Sequence, residues 1–256
     1  MYVAQSDTVS GQYASRNLLR EGEEAAAAVW RQITGSAFRV EKTESSVDAG
    51  IFRGKVDRVD GTDKYVRVID YKTGSIDDSP VSYYTGRKLQ LELYMSAVCG
   101  EREPAGVFYF PASLAYTDGE EVKFRMLGFL NGDEEALRSG DLALSEGKVS
   151  DFFGAGMNNS RRPKVMDGET FADFLRYAAF VSERGVEELK GGFIAPSPYK
   201  DECKYCKYGG LCGFNYDLAE PRYEEKITPK AIAGIARREE EERKNRKRTE
   251  EENGGK

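Results

Sequence analysis

The sequence predicts an α/β fold, a mixed β-sheet flanked by helices, with a cysteine-rich loop toward the C-terminal end. Three observations lead there. The first is a pair of runs, Phe52 to Asp60 and a second ending in Val68-Ile69-Asp70-Tyr71-Lys72-Thr73-Gly74, on either side of Gly61-Thr62-Asp63-Lys64, a turn by composition. The second is a helical stretch over residues 89–98 followed by Ala105-Gly106-Val107-Phe108-Tyr109-Phe110, an apolar run closed by Pro111, so that strand, helix and strand succeed one another around a sheet. The third is the helical recurrence of Phe171, Phe174, Leu175, Ala178, Val181, Val186 and Leu189, which makes residues 170–190 a long amphipathic helix ending at Gly191-Gly192.

Residues 1–11 are polar and expected to be poorly ordered at the tip. Residues 13–33 read as a helix with Leu18, Leu19, Ala26, Val29, Trp30 and Ile33 on its apolar face. Residues 37–44 alternate enough for a strand, placing Phe38 and Val40 on one side. After the hairpin, residues 75–88 form a polar connection containing Pro80, and Arg87 and Lys88 precede the helix whose Leu89, Leu93 and Val98 would face the sheet. A strand over 121–129 could pair with 105–110 across residues 111–119. Residues 131–159 are looser, with a helical piece near 134–139. Arg161, Arg162 and Lys164 form a small basic cluster, either a phosphate-backbone contact or a solvated loop. Beyond Cys212 a loop (219–227) and a short helix (228–237) lead into a nearly all-charged tail, where i,i+4 pairing could support a solvated helix; disorder or contact with a partner are the other readings. Three parts result: a helical segment 1–36, a core with its cysteine-rich loop 37–217, and a charged tail 218–256.

Asp70 and Lys72, two residues apart at the end of an apolar run, lie on one strand face. Closing an antiparallel hairpin at the turn places Asp57 opposite Val68, on the face that carries Asp70 and Lys72. The two carboxylates are then diagonal cross-strand neighbours about 7–8 Å apart, which one metal ion could bridge, and a two-residue slip would keep them on the shared face. Two carboxylates are hard oxygen ligands suited to Mg²⁺ or Mn²⁺ beside phosphate. Such an ion activates water, and a nearby ammonium can orient that water and offset charge. The backbone carbonyl of Tyr71, between the two side chains, could be a further ligand. The plainer reading is a surface ion pair of Asp70 with Lys72 at a strand end.

Composition narrows the classes. At 256 residues the chain can bury one sizeable core. A net charge of −6 and a pI near 5.1 exclude a globally basic nucleic-acid binder, so any DNA contact must be a local patch. The lack of an apolar run of 18 residues or a signal peptide leads to the expectation of a soluble, cytoplasmic protein without membrane contact. Histidine is absent, which removes His-based triads and His-ligated zinc. Four cysteines without an export signal point to metal chemistry more than disulfides. Cys203, Cys206 and Cys212 form C-x2-C-x5-C, three thiolates in ten residues with glycines for tight reversal. That density suits zinc or an iron–sulfur cluster, and the spacing does not choose. Cys99, ending the 89–98 helix, reads as a buried small side chain.

The pattern Gly54-x-x-Asp57-Arg58-x-Asp60, Asp70-Tyr71-Lys72-Thr73-Gly74 and Gln90-x-x-x-Tyr94 resembles the PD-(D/E)xK nuclease superfamily in its RecB-like branch. The resemblance implies a restriction-endonuclease-like core and a Mg²⁺- or Mn²⁺-dependent deoxyribonuclease of exonuclease type. Asp57, Asp70 and the Tyr71 carbonyl would hold the metal, and Lys72 would work on the attacking water. Gln90 and Tyr94, four apart on one helix face, would lie by the scissile strand, where both can hydrogen-bond phosphate or the metal's water shell. On the plainer reading Gln90 is solvated and Tyr94 is a packed aromatic. Arg58 would brace a carboxylate or meet phosphate, with Arg87 and Lys88 as further DNA contacts.

The cysteine loop after such a core resembles the iron–sulfur nucleases, among them the AddB/RexB-type subunits and the Cas4-like proteins. In that group one cysteine upstream of the core closes a [4Fe–4S] cluster with three downstream. The Ala105 to Pro111 run, Met126-Leu127-Gly128-Phe129-Leu130 and Pro198-Tyr199 favour the AddB type, and the resemblance covers most of residues 37–217. It implies a C-terminal nuclease domain acting with an AddA-like helicase–nuclease subunit on single-stranded DNA or unwound duplex ends at double-strand breaks. Two departures stand out: nothing before Cys99 is a cysteine, and the histidine such nucleases carry ahead of the sheet is missing. Both are expected of a fragment whose N-terminal part, with the fourth cysteine, was left off. The cluster would then be incomplete, absent or replaced by another metal, and oxidation could join Cys203 to Cys206. The alternatives are a Cas4-like nuclease of CRISPR adaptation and a non-catalytic DNA-binding scaffold.

Overall fold

Strand alternation builds the centre of the molecule. The computed structural model describes residues 9–113, 124–156 and 164–254. After helix α1 (Val9–Thr34), strands β1 (Arg39–Asp48), β2 (Arg53–Gly61) and β3 (Tyr65–Lys72) form an antiparallel meander. Helices α2 (Pro80–Tyr84) and α3 (Gln90–Val98) then cross over to β4 (Glu103–Pro111), parallel to β3. Strand β5 (Leu127–Asn131), helix α4 (Glu134–Gly140), strand β6 (Val165–Met166) and helix α5 (Gly168–Lys190) follow. A 3-10 turn (Glu202–Tyr205), helix α6 (Gly209–Cys212) and helix α7 (Pro229–Gly254) complete the chain. The six strands lie in the order β1-β2-β3-β4-β5-β6, mixed in direction, as the sequence predicts.

The two sheet faces divide the core. Val66, Val68, Val107, Tyr109, Phe129 and Met166 pack on one face against α3, α5 and α7. Ile69, Phe108, Phe110 and Leu130 occupy the other, with Ala28 of α1 and Leu137 of α4. Gly128 is required where β5 crosses β4: it has φ +154°, and a Cβ there would meet the Val107 carbonyl oxygen at 2.1 Å.

The β2–β3 register differs from the sequence expectation. Val59, not Asp57, lies opposite Val68, a shift of two residues. The cause is the turn. Thr62 pairs with Tyr65 (N–H to O, 2.8 Å), and its hydroxyl accepts from the N–H groups of Lys64 (3.3 Å) and Tyr65 (2.8 Å). The tip is therefore Asp63-Lys64 rather than Thr62-Asp63. A two-residue shift keeps every side chain on its face.

Other differences are local. Phe38 is buried beneath the Arg67 guanidinium (4.4 Å to the ring), whereas Val40, expected beside it, is 39% exposed. Phe38 precedes the edge strand β1, and an irregularity between Val40 and Lys42 breaks the alternation. The strand expected over 121–129 begins at Leu127, and residues 121–123 lie outside the described residues, as do Arg161 and Arg162. Lys164 pairs with Asp78 rather than standing free. The expected polar tip reaches only to residue 8, outside the described residues, since α1 begins at Val9. Short elements within expected loops are α2, capped by Ser79 with Pro80 at its start, and the two-residue β6. The short helix expected over 228–237 is the beginning of α7, whose Ile232, Ala233 and Ala236 enter the core against α5. Among the described residues no helix is long and apolar enough to cross a membrane.

Beneath the hairpin lies a buried ionic cluster. Asp60, with no exposed surface, accepts from Arg58 through Nε and Nη2 (2.6 Å each) and from Arg67 through Nε (2.8 Å). Arg58 Nη1 also donates to Gln32 Oε1 (3.2 Å) and the Tyr71 hydroxyl (3.1 Å). Burial pulls the Arg67 guanidinium down to about 10, and the Asp60 carboxylate opposes that fall. Removing the one carboxylate strands two buried cations. Asp60→Ala is expected to cost about 3–5 kcal/mol, read as a shift of the urea midpoint; a wild-type midpoint would show that the cluster is dispensable.

Candidate active site

The β2–β3 ladder ends at Arg58–Ile69, while β3 stays paired with β4 as far as Lys72 and β2 stays paired with β1 back to Arg53. The two strands thus part at this end of the hairpin. Asp57 spans the opening: its Oδ2 accepts the Tyr71 N–H at 2.9 Å. One further step of the register sets Asp57 directly across from Asp70. The Tyr71 N–H points toward β2, and the carbonyl of a strand residue points to the same side as its N–H, so this carbonyl also faces the opening.

Asp70 is buried (3% exposed) and held by two neighbours. Its Oδ1 accepts from Gln90 Nε2 (3.3 Å), and the same Nε2 lies 3.2 Å from the Tyr94 hydroxyl as donor. Its Oδ2 lies 2.6 Å from Lys72 Nζ. That contact is an ion pair without hydrogen-bond alignment, so Oδ2 is a shielded oxygen with no hydrogen-bond partner. Lys72 is partly exposed and sits 5.4 Å over the Tyr109 ring. Tyr94 packs directly on Gly54, where a Cβ would come within 2.6 Å of the phenol. Only glycine at 54 lets that ring lie against β2.

Burial raises the Asp70 carboxyl above its ordinary value; Lys72 opposes this and the like charge of Asp57 adds to it. Two carboxylates thus face each other against one ammonium, with one shielded oxygen lacking a hydrogen-bond donor. A hard divalent cation suits such a set. Asp57, Asp70 and the Tyr71 carbonyl would supply its protein ligands, with water or phosphate filling the remainder. Among the described residues no three His, Cys, Asp or Glu side chains form a group able to hold a metal ion, so neither a third carboxylate nor a thiolate cage is assembled.

The sequence-derived site residues Asp57, Asp70, Lys72, Gln90 and Tyr94 are therefore together. Tyr109, read from sequence only as part of a buried strand, belongs with them. The signal for it was available: two residues after Val107, it shares the face of Asp70 and Lys72 on the neighbouring strand.

The expected DNA contacts divide. Arg58 is 3% exposed with its guanidinium on Asp60, Gln32 and Tyr71, so it braces a carboxylate and cannot meet phosphate. Arg87 is neutralised by Glu202 and Glu224, which corrects its reading as a DNA contact. Lys88 is exposed. Cys203 is half-buried and Cys206 and Cys212 are exposed, all free thiols. Cys99 donates to the Arg102 carbonyl (2.8 Å), and burial raises its thiol, as expected of a packed side chain. Three thiols not gathered into a cage do not by themselves fit a four-thiolate cluster.

Fold and site together define a nuclease of the PD-(D/E)XK type: the model of the PD-(D/E)XK nuclease superfamily matches residues 3–213, and the chain belongs to that superfamily. Its curated relatives share one name, being B-type subunits of an ATP-dependent helicase/deoxyribonuclease. The chain is 27% identical over 204 residues to that protein of Clostridioides difficile (strain 630), covering 67% of the chain and 18% of the relative. It is 29% identical over 204 residues to that of Alkaliphilus metalliredigens (strain QYMF), with the same coverages. For Listeria innocua the identity is 26% over 212 residues, 70% of the chain and 18% of the relative. The chain thus matches less than a fifth of the length of these relatives.

On α3, Glu92 lies between Gln90 and Tyr94 but is buried, and burial pushes its carboxyl up to about 8. Between the ordinary carboxylate range and about 8, the folded protein keeps a proton that the unfolded chain releases. Stability therefore falls as pH rises through that window, by up to about 1.4 kcal/mol per unit. Glu92→Gln is expected to flatten this slope in urea midpoints taken from about pH 5 to 8; parallel slopes in the two proteins would refute a buried neutral Glu92.

Proposed function

We propose that this chain hydrolyses DNA phosphodiesters as the exonuclease domain of a helicase–nuclease that processes double-strand break ends. The observation that carries the reading is the convergence of Asp57, Asp70 and Lys72 where β2 and β3 part, with Gln90 tied to Asp70. When bound, Mg²⁺ or Mn²⁺ supplies positive charge at the scissile phosphate and a more acidic water. Asp57 and Asp70 hold that ion with the Tyr71 carbonyl, and the Tyr71 N–H keeps Asp57 turned toward the opening. Lys72, released from its direct contact with Asp70 Oδ2, orients the attacking water and balances charge on the phosphate. Gln90 and Tyr94 secure the strand, and exposed Lys88, just before α3, contacts its backbone.

The shared name of the relatives supports a helicase partner of the AddA kind and a DNA substrate presented as a single strand or unwound duplex end, in the cytoplasm. No observation favours the CRISPR-adaptation or scaffold readings over this one. We assign the cysteine-bearing segment a structural role; a [4Fe–4S] cluster there would need a fourth ligand beyond Cys203, Cys206 and Cys212.

The test is digestion of end-labelled single-stranded DNA with Mg²⁺ or Mn²⁺, using EDTA as control. Asp70→Ala is expected to abolish cleavage and Lys72→Ala to reduce it by roughly a hundredfold or more, both with wild-type circular dichroism. Undiminished cleavage by both folded variants overturns the assignment.

A further inference from the structure

Arg87 stands in the connection between α2 and α3, three residues before Gln90. Its guanidinium reaches two ways. Toward its own turn, Nε donates to Thr85 Oγ1 (3.1 Å) and Nη2 to Ser82 Oγ (3.3 Å). Toward the C-terminal segment, it pairs with Glu202, next to Cys203, and with Glu224, and it lies 5.9 Å from the centre of the Tyr199 ring. Glu202 and Glu224 come from opposite ends of the cysteine-bearing loop. Those ends are joined to each other by a bridge between Tyr199 and Arg222, with Lys200 N–H to Arg222 O (2.9 Å) and Arg222 N–H to Pro198 O (2.8 Å). The loop is thus a closed lobe, and one arginine fastens both its feet to the nuclease core.

The place of attachment matters because α3 has no cap of its own. Its N-cap residue, Leu89, makes no side-chain capping bond, so the shape of the preceding turn sets where the helix starts. Behind that turn, α2 is fixed: the Tyr83 hydroxyl donates to the Phe174 carbonyl (2.6 Å) and accepts the Ala178 N–H (3.1 Å) of α5. The remaining freedom lies in Thr85 to Leu89, which Arg87 spans.

We infer that Arg87 is a positioning residue through which the cysteine-bearing lobe sets the placement of Gln90 against Asp70. The inference rests on the nuclease reading above. An isolated surface ion pair contributes little, but here two carboxylates, two hydroxyls and a ring meet one guanidinium, and such a network holds geometry.

The experiment is a mutant cycle on the whole chain with the labelled-strand assay. Arg87→Ala should lower kcat on the order of tenfold with KM little changed, and should cause no further loss in a Gln90→Ala background, as expected of residues that act as a unit. The double variant Glu202→Gln/Glu224→Gln, which keeps Arg87 and removes only its partners' charge, should reproduce the loss and serves if Arg87→Ala does not fold. Equal losses from Arg87→Ala with and without Gln90 would make its role independent of that residue and overturn the inference. Full activity in the double glutamine variant would do the same by removing the lobe from the chain of contact. Both outcomes require an active wild type; a wild type inert with Mg²⁺ and Mn²⁺ sinks the nuclease reading and this inference with it.

Discussion

The register of one hairpin decides where every site residue points, and a buried charge cluster holds that register. Asp60 and Arg67 are directly opposed across β2 and β3, and Arg58 closes on Asp60 from its own strand. Sliding either strand by one residue would turn this set to the other face and leave charges unpaired. Burying them is costly, so the cluster is better understood as specifying an arrangement than as adding stability. The reverse face inherits the order: with Asp60 and Arg67 fixed behind the sheet, Asp57, Asp70 and Lys72 are fixed in front.

The two faces also communicate through Tyr71. Its hydroxyl receives Arg58 behind the sheet, while its backbone N–H holds Asp57 at the front. The catalytic end of β3 is therefore gripped from both sides just where it has lost its β2 ladder. Across the opening, Gly54 makes room for Tyr94, whose hydroxyl meets Gln90, which in turn meets Asp70. Each contact fixes a neighbour's orientation, so the like charges of Asp57 and Asp70 are held close by the scaffold despite their repulsion.

Much of this was legible in the sequence, because periodicity carries it. Alternation by two put Asp70 and Lys72 on one face, and spacing by four put Gln90 and Tyr94 on another. The two-residue error in register came from the Thr62 hydroxyl, a turn-closing bond that composition does not reveal, and parity made the error harmless to the site. The charged side chains were less readable. Arg58 and Arg87 look like phosphate contacts in sequence, but only tertiary structure shows that acidic partners have already claimed them. The elements α2 and β6 are too short to show a period, and the full extent of α7 was hidden by charged residues that serve equally for a solvated tail.

Helix α7 docks differently along its length. Near its start Ile232, Ala233 and Ala236 are sunk in the core; one turn later the contact is Arg237 with Asp173, and further on Arg243 reaches Glu183 and lies 4.4 Å over the Phe180 ring. Hydrophobic contact gives way to ionic contact with distance from Pro229. Added electrolyte screens only the latter, so this helix should peel from its far end inward as ionic strength rises, offering proteases a C-terminal strip whose length is set by the buffer.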